Sequence, residues 1–157
     1  MTHQTETPEL ALNAWIKAWT NRDTETILSL WDEQDAQSSY LPAERHAPLI
    51  GSVAVMEYVE TTCEHFSTVL HRAEGILARS LSPAIGLSFY ELNWMFADDR
   101  GPMGGTCRVT AIWRNREDQW RLFHYAEAPL APLLELQAYY ESVAADGLGA
   151  IPQRGIC

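Results

Sequence analysis

Cysteine is scarce in this chain. Its 157 residues include three, Cys63, Cys107 and Cys157. Their number is odd, their spacing wide and no C-x-x-C pair occurs, which argues against both a disulfide framework and a zinc site. Basic residues are also few, 11 Lys and Arg against 21 Asp and Glu, for a formal net charge of -10. That balance repels phosphate backbones and anionic lipid surfaces, so no nucleic-acid partner and no membrane partner is expected. No apolar run reaches the roughly 18 residues that suggest a membrane span, and the N-terminal MTHQTETPEL has no basic segment followed by an apolar one. The expectation is a cytoplasmic protein. The five His show no H-x-x-x-H, H-x-E or facial-triad spacing, so no metal site is predicted. Gly104-Gly105 reads as a turn leading into a strand, without the helix N-terminus that a phosphate needs. No cofactor is expected.

Aromatic residues, by contrast, are abundant: six Trp, six Tyr and four Phe in a chain that is 46% hydrophobic. Such area fills a core or lines an apolar cavity. The length suits a single domain over 1–157, with a core over 9–129 and an extension over 130–157. Thr7-Pro8-Glu9 signals a helix start, and Leu12, Trp15, Ile16 and Trp19 follow on one apolar face. Asn21-Arg22-Asp23 breaks that helix. A shorter one then carries Ile27, Leu28, Leu30 and Trp31. Ser38 to Leu41 reads as a short strand stopped at Pro42, and Gly51-Ser52 opens a third helix with Val55, Met56, Val59, Cys63 and Phe66 on one face. Thr68 to Phe96 is β-prone and is split in two at Ser82-Pro83.

The clearest β structure is the stretch CRVTAIWRNREDQWRLFHYAEAP, Cys107 to Pro129. Val109, Ala111 and Trp113 alternate with Arg108, Thr110 and Arg114; Asn115 to Asp118 turns; and Trp120 to Glu127 is again aromatic and β-prone. Helices followed by consecutive antiparallel strands predict an α+β fold. Leu133 to Ala145 has helical composition, and Gly147 and Gly149 end it.

The segments AWIKAWTNRDTETILSLW, PLIGSVAVMEYVE and IWRNREDQWRLFHYAEAP, in this order of elements, resemble the nuclear transport factor two-like superfamily. That superfamily includes SnoaL-like polyketide cyclases, ketosteroid isomerases and the association domain of calmodulin-dependent kinase. The resemblance implies a cone: a curved antiparallel sheet wrapped around the three helices of the N-terminal half, a cavity between sheet and helices, and a homodimer packed through the sheets. The C-terminal helical segment is an addition to it. Function does not follow from the fold, because the superfamily hosts isomerases, dehydratases, cyclases and plain assembly modules.

Steroid isomerisation needs a carboxylate base together with a tyrosine and a protonated acid at the developing enolate. By the resemblance, the tyrosine falls on Trp15, the base on Tyr40 or Leu41, and the acid on Val109, so that mechanism is not expected. Strand alternation places Cys107, Val109, Ala111 and Trp113 inward. On the last strand the family parity puts Phe123, Tyr125 and Glu127 inward, with Leu122, His124 and Ala126 outward, and a one-residue slip would bring His124 inside. On the preceding strand Leu87, Phe89 and Glu91 are favoured inward, against the alternative set Ser88, Tyr90, Leu92 and Trp94.

The candidate catalytic residues are therefore Glu127, Tyr40 and His124. The candidate ligand-binding residues are Trp15, Trp19, Trp31, Phe89, Glu91, Val109, Trp113, Phe123 and Tyr125. A carboxylate at Glu127 in an apolar cavity would have its pKa raised by desolvation, as an acid or base near neutral pH requires; the plainer reading leaves it in solvent or paired with an arginine. Glu91 has the same two readings, with Arg108 as its cross-strand partner. His124 is either a base or an interface residue, while His46 and His71 have weaker claims still. Trp15, Trp19 and Trp31 serve the core as readily as a ligand, and Cys107 reads as a small core residue.

Two functions remain open. One is a SnoaL-like protein that binds a small apolar or aromatic molecule, as an isomerase, cyclase or dehydratase acting through a pocket carboxylate. The other is a non-catalytic dimerisation or accessory domain, which a cavity plugged by Trp15, Trp31 and Trp113 would favour.

Overall fold

The computed structural model describes residues 7–130, together with Ala138 and Glu141, which are helical. The expected helix over 133–145 and its Gly stop otherwise lie outside the described residues. Helix α1 (Pro8–Asn21) starts where the Thr7 hydroxyl accepts from the Leu10 N–H at 3.2 Å, with Pro8 in the first turn. It stops at Arg22, which is left-handed at φ 53°. Asp23 then caps α2 (Thr24–Ser29), its carboxylate accepting from the Thr26 N–H at 3.0 Å. Helix α3 (Gly51–His65) begins at Gly51, whose φ of +80° a side chain would strain. Its buried face is Val55, Val59 and Cys63, whereas Met56, expected on that face, is exposed.

The strands are β1 (Ser39–Leu41), β2 (Leu49–Ile50), β3 (Thr68–Ser80), β4 (Ile85–Asp98), β5 (Gly101–Arg116) and β6 (Gln119–Pro129). They form one sheet in the order β2-β1-β6-β5-β4-β3. The sheet is mixed rather than wholly antiparallel, because β1 runs parallel to β6 with Tyr40 opposite Tyr125. The loop expected before α3 contains β2, which pairs with β1. The sheet is curved and unclosed. Helix α1 touches β3, β4 and β6. These strands span roughly 14 Å of sheet at about 4.8 Å per step, more than one helix covers on a flat surface, so the sheet must curl around α1.

The terminal hairpin turns through Glu117 and Asp118, both at positive φ as a two-residue type I′ turn requires. Gly104 and Gly105 lie inside β5 rather than in a turn before it. A Cβ at Gly104 would sit 2.7 Å from the Trp94 carbonyl oxygen, and one at Gly105 would sit 3.2 Å from the Trp94 ring. Glycine here makes room for β4 and for Trp94.

Two strand faces differ from expectation. Between Ile112 and Trp113 the pairing of β5 with β6 shifts, so that Ile112 faces His124 while Trp113 faces Leu122 and Phe123 is the extra residue. The bulge changes the phase of β6. Leu122, expected outward, is fully buried, and Phe123, expected inward, is not. On β4 the buried set is Ser88, Tyr90 and Leu92, while Phe89 is 44% exposed and Glu91 faces out with it, opposite Arg108. The core joins α1 and α2 to the inner faces of β4, β5 and β6 through Leu12, Trp15, Ile27, Tyr90, Val109, Trp113 and Tyr125. No helix among the described residues is long and apolar enough to cross a membrane.

Candidate functional site

Trp15 is the centre of an aromatic cluster. Its ring lies 5.9 Å from Trp19, 6.4 Å from Trp31, 6.3 Å from Tyr40 and 5.6 Å from Tyr125. The Trp31 indole N–H donates to Ser38 Oγ at 3.1 Å, and the Trp113 indole N–H to Ser88 Oγ at 2.9 Å. Trp15, Trp31, Trp113 and Val109 are thus core residues. They do not plug the space beyond them, where a cavity of about 270 Å³ remains, lined by Trp19, Tyr40, Tyr58, Phe66, Leu92, Trp94 and Phe96 among others. Its polar lining includes Glu44, His71 and Glu127.

Glu127 is held at both oxygens. Oε1 accepts from the Tyr125 hydroxyl at 2.9 Å, and Oε2 accepts from the Ala43 N–H at 2.9 Å. Burial raises its carboxyl above the usual carboxylate range; the Ala43 and Tyr125 hydrogen bonds oppose that shift, and the charge of Glu44 adds to it. Tyr40 stacks on Tyr125 at 4.7 Å with 9° between the rings, as their pairing across β1 and β6 dictates. Burial lifts both phenols well above their ordinary pKa, so both stay protonated and can donate. Tyr58 on α3 donates to Glu44 Oε1 at 2.8 Å.

Of the candidate catalytic and ligand-binding residues, Glu127, Tyr40 and Trp19 meet at the cavity, with Tyr125 directly behind Glu127, and they are joined there by Leu92 and Trp94 of the alternative β4 set. The others do not. His124 points to the other face of β6, where Nδ1 lies 2.8 Å from Ser39 Oγ. Phe123 lies under the Arg114 guanidinium at 4.2 Å, beside the ion pairs that Arg114 makes with Asp32 and Asp35. Phe89 and Glu91 lie on the outer sheet face. Cys107 is fully buried, and burial pushes its thiol up to about 12.

Several lining residues escaped the sequence reading, and His71 has only a weak claim in it. Tyr58 lies three residues after Val55 on the buried side of α3, a spacing that could have revealed it. Ala43 and Glu44 come from the loop after β1, where no periodicity operates. His71 is placed by α1: Thr20 Oγ1 accepts from its N–H at 3.1 Å and donates to its carbonyl at 3.3 Å. Its ring stacks on Trp19 at 5.5 Å, and burial lowers its pKa to about 4.

Comparison with known proteins agrees with this architecture. A SnoaL-like domain profile matches residues 9–132. Among solved structures, a proposed dehydratase of the NTF2-like family from Streptomyces avermitilis superposes with a TM-score of 0.71 at 20% identity, over 81% of this chain and 97% of that one. A protein with a cystatin-like fold from Caulobacter vibrioides gives 0.68 at 16% identity, over 92% and 99%. A proposed scytalone dehydratase from Novosphingobium aromaticivorans gives 0.69 at 12% identity, over 78% and 81%. No curated protein sequence matches. These identities speak to the fold alone, which is that of the NTF2-like structures, and the domain match over residues 9–132 shows that the chain belongs to the SnoaL-like domain family.

Proposed function

We propose that this protein binds a small apolar or aromatic carbonyl compound in the cavity and acts on it without a cofactor, as an isomerase, cyclase or dehydratase. The observation that carries the reading is Glu127: a half-buried carboxylate with a raised pKa, anchored at both oxygens, lining a largely aromatic cavity. Each of its oxygens keeps a second lone pair. In the proposed step Glu127 takes a proton from the carbon beside the carbonyl, the C–H pair moves into a new C=C bond, and the carbonyl oxygen becomes an enolate. Tyr40, a protonated phenol in the same lining, donates to that oxygen. The proton on Glu127 then returns to another carbon, or to a leaving hydroxyl that departs as water. Two of the structural relatives are themselves proposed dehydratases, which supports this class of chemistry. His124, bonded to Ser39 on the far face, has no part in it.

A homodimer belongs to the same proposal. Leu77 and Phe89 pair across β3 and β4, and both are largely exposed, which gives the outer sheet face an apolar patch for a second copy.

Deuterium exchange tests the chemistry directly. A bound aryl methyl ketone, followed by NMR in deuterium oxide, should lose its α-protons faster with wild type than without protein, and Glu127→Gln should slow the exchange by about a hundredfold or more. Binding without accelerated exchange would remove the acid–base role. Failure of every planar ketone to raise the melting temperature would remove the ligand-binding role as well.

A further inference from the structure

Tyr125 does not line the cavity, yet it touches both groups that the proposed chemistry uses. It stands two residues before Glu127 on β6, beyond the bulge at Phe123, so alternation puts the two side chains on one face of the strand. Its hydroxyl reaches along that face to Glu127 Oε1 at 2.9 Å. Its ring is 1% exposed and is held from two sides, by Tyr40 at 4.7 Å and 9° and by Trp15 at 5.6 Å. The contact with Tyr40 comes from the parallel register of β1 on β6, which sets Tyr40 opposite Tyr125.

A carboxylate in this place needs such a partner. The titratable groups around it are Tyr40 on β1, Glu44 on the following loop, Tyr58 on α3, Tyr90 on β4, Cys107 on β5 and Tyr125 itself. His71 on β3 lines the same cavity and is kept neutral by burial. None of these groups is a cation near neutral pH, and the charge of Glu44 repels. The ionised form that a base requires is supported here by two hydrogen bonds, from the Ala43 N–H at Oε2 and the Tyr125 hydroxyl at Oε1. Donors on both oxygens also stop the carboxylate from turning about its last torsion, which is otherwise a soft one. Burial keeps the Tyr125 phenol protonated, so it remains a donor throughout the working pH range.

We propose that Tyr125 is the positioning residue of the site: it orients the Glu127 carboxylate through its hydroxyl and the Tyr40 ring through stacking, and itself never meets the ligand. This rests on the reading of Glu127 as the base. The test is the pH profile of α-proton exchange for an aryl methyl ketone, followed by NMR in deuterium oxide over a range of ketone concentrations. Wild type is compared with Tyr125→Phe and with a chain carrying 3-fluorotyrosine at position 125. Phe keeps the stacked ring and removes the donor. The midpoint at which exchange switches on should then move up by about one pH unit. The plateau at high pH should fall about tenfold as the carboxylate is released, while KM stays within about twofold because Tyr125 is outside the lining. 3-Fluorotyrosine, a stronger donor of almost the same shape, should move the midpoint down instead, and it gives the answer if the Phe variant does not fold. A midpoint that neither change moves overturns the positioning role and leaves Glu127 as the base. A plateau that rises in Tyr125→Phe also overturns it, since a freed and more basic carboxylate would then be the better one. Wild type that exchanges no protons at any pH overturns the base reading and this inference with it.

Discussion

Acidification should destabilise this protein through His71, by an amount the structure sets. The imidazole has an ordinary pKa of 6.5 and is lowered to about 4 by burial against Trp19 and Phe96, with which its ring is in contact. The folded chain therefore keeps it neutral where the unfolded chain already binds a proton, so stability falls as pH drops from about 6.5 towards about 4 and flattens below. The slope is about 1.4 kcal/mol per pH unit for one proton, for a total on the order of 3 kcal/mol. In a chain of this length that lowers the melting temperature by roughly 6–12 °C. Other groups titrate in the same window, so the decisive quantity is the difference between wild type and His71→Phe, which keeps the ring contact and removes the proton. Urea denaturation across this range should show wild type losing stability on acidification relative to the variant. The matching NMR titration should show one imidazole resonance that does not move until well below pH 6. Parallel pH profiles for the two proteins, or a His71 resonance titrating near 6.5, would refute the burial argument.

Two further outcomes are expected. Asp32, 2% exposed, binds Arg114 and Arg116 at 3.0 Å each. Asp32→Asn should cost about 1–3 kcal/mol by denaturant titration, less than a fully buried pair because both guanidinium groups reach water, and a loss below about 0.5 kcal/mol would contradict the pairing. Phe89→Glu places a charge in the outer apolar patch beside Leu77, and light scattering should give a dimer mass for wild type and a monomer mass for the variant; a dimer in both would move the interface elsewhere, and a monomeric wild type would remove the proposed dimer.

Much of the fold was legible because the elements carry strong periodic signals. The Leu12-Trp15-Trp19 face, the helix start at Thr7-Pro8-Glu9, the break at Asn21-Arg22-Asp23 and the terminal hairpin all rest on local rules that tertiary structure did not override. The site was harder to read for three physical reasons. Alternation on β4 was ambiguous because Leu87 and Phe89 are as apolar as Tyr90 and Leu92, so period two gave no direction; the outward set is the one that presents the apolar patch. On β6 the bulge at Phe123 is invisible to alternation, which assumes a constant phase; both simple parities failed, one at Leu122 and the other at Tyr125. The loop residues Ala43 and Glu44 enter the site only because Glu127 reaches across to the Ala43 N–H, a contact between residues 84 positions apart.

The polar groups of the cavity explain why a chain this aromatic does not simply fill itself. Trp15, Trp31 and Trp113 are buried in the core, with the Trp31 and Trp113 indoles satisfied on serine hydroxyls. Beyond it stand Glu127, Trp19 and His71, which a core selected for stability alone would replace with aliphatic side chains. Their cost also has a sign. Glu127, with its folded pKa raised by burial, subtracts stability as pH rises above the ordinary carboxyl range, whereas His71 subtracts it as pH falls below the ordinary imidazole range. The two slopes oppose each other where the ranges meet, so the acid profile of wild type is shallower than His71 alone would give. Glu127→Gln removes one slope and should leave a protein more sensitive to acid than wild type, His71→Phe should leave one less sensitive, and the double variant should fall between the two single variants.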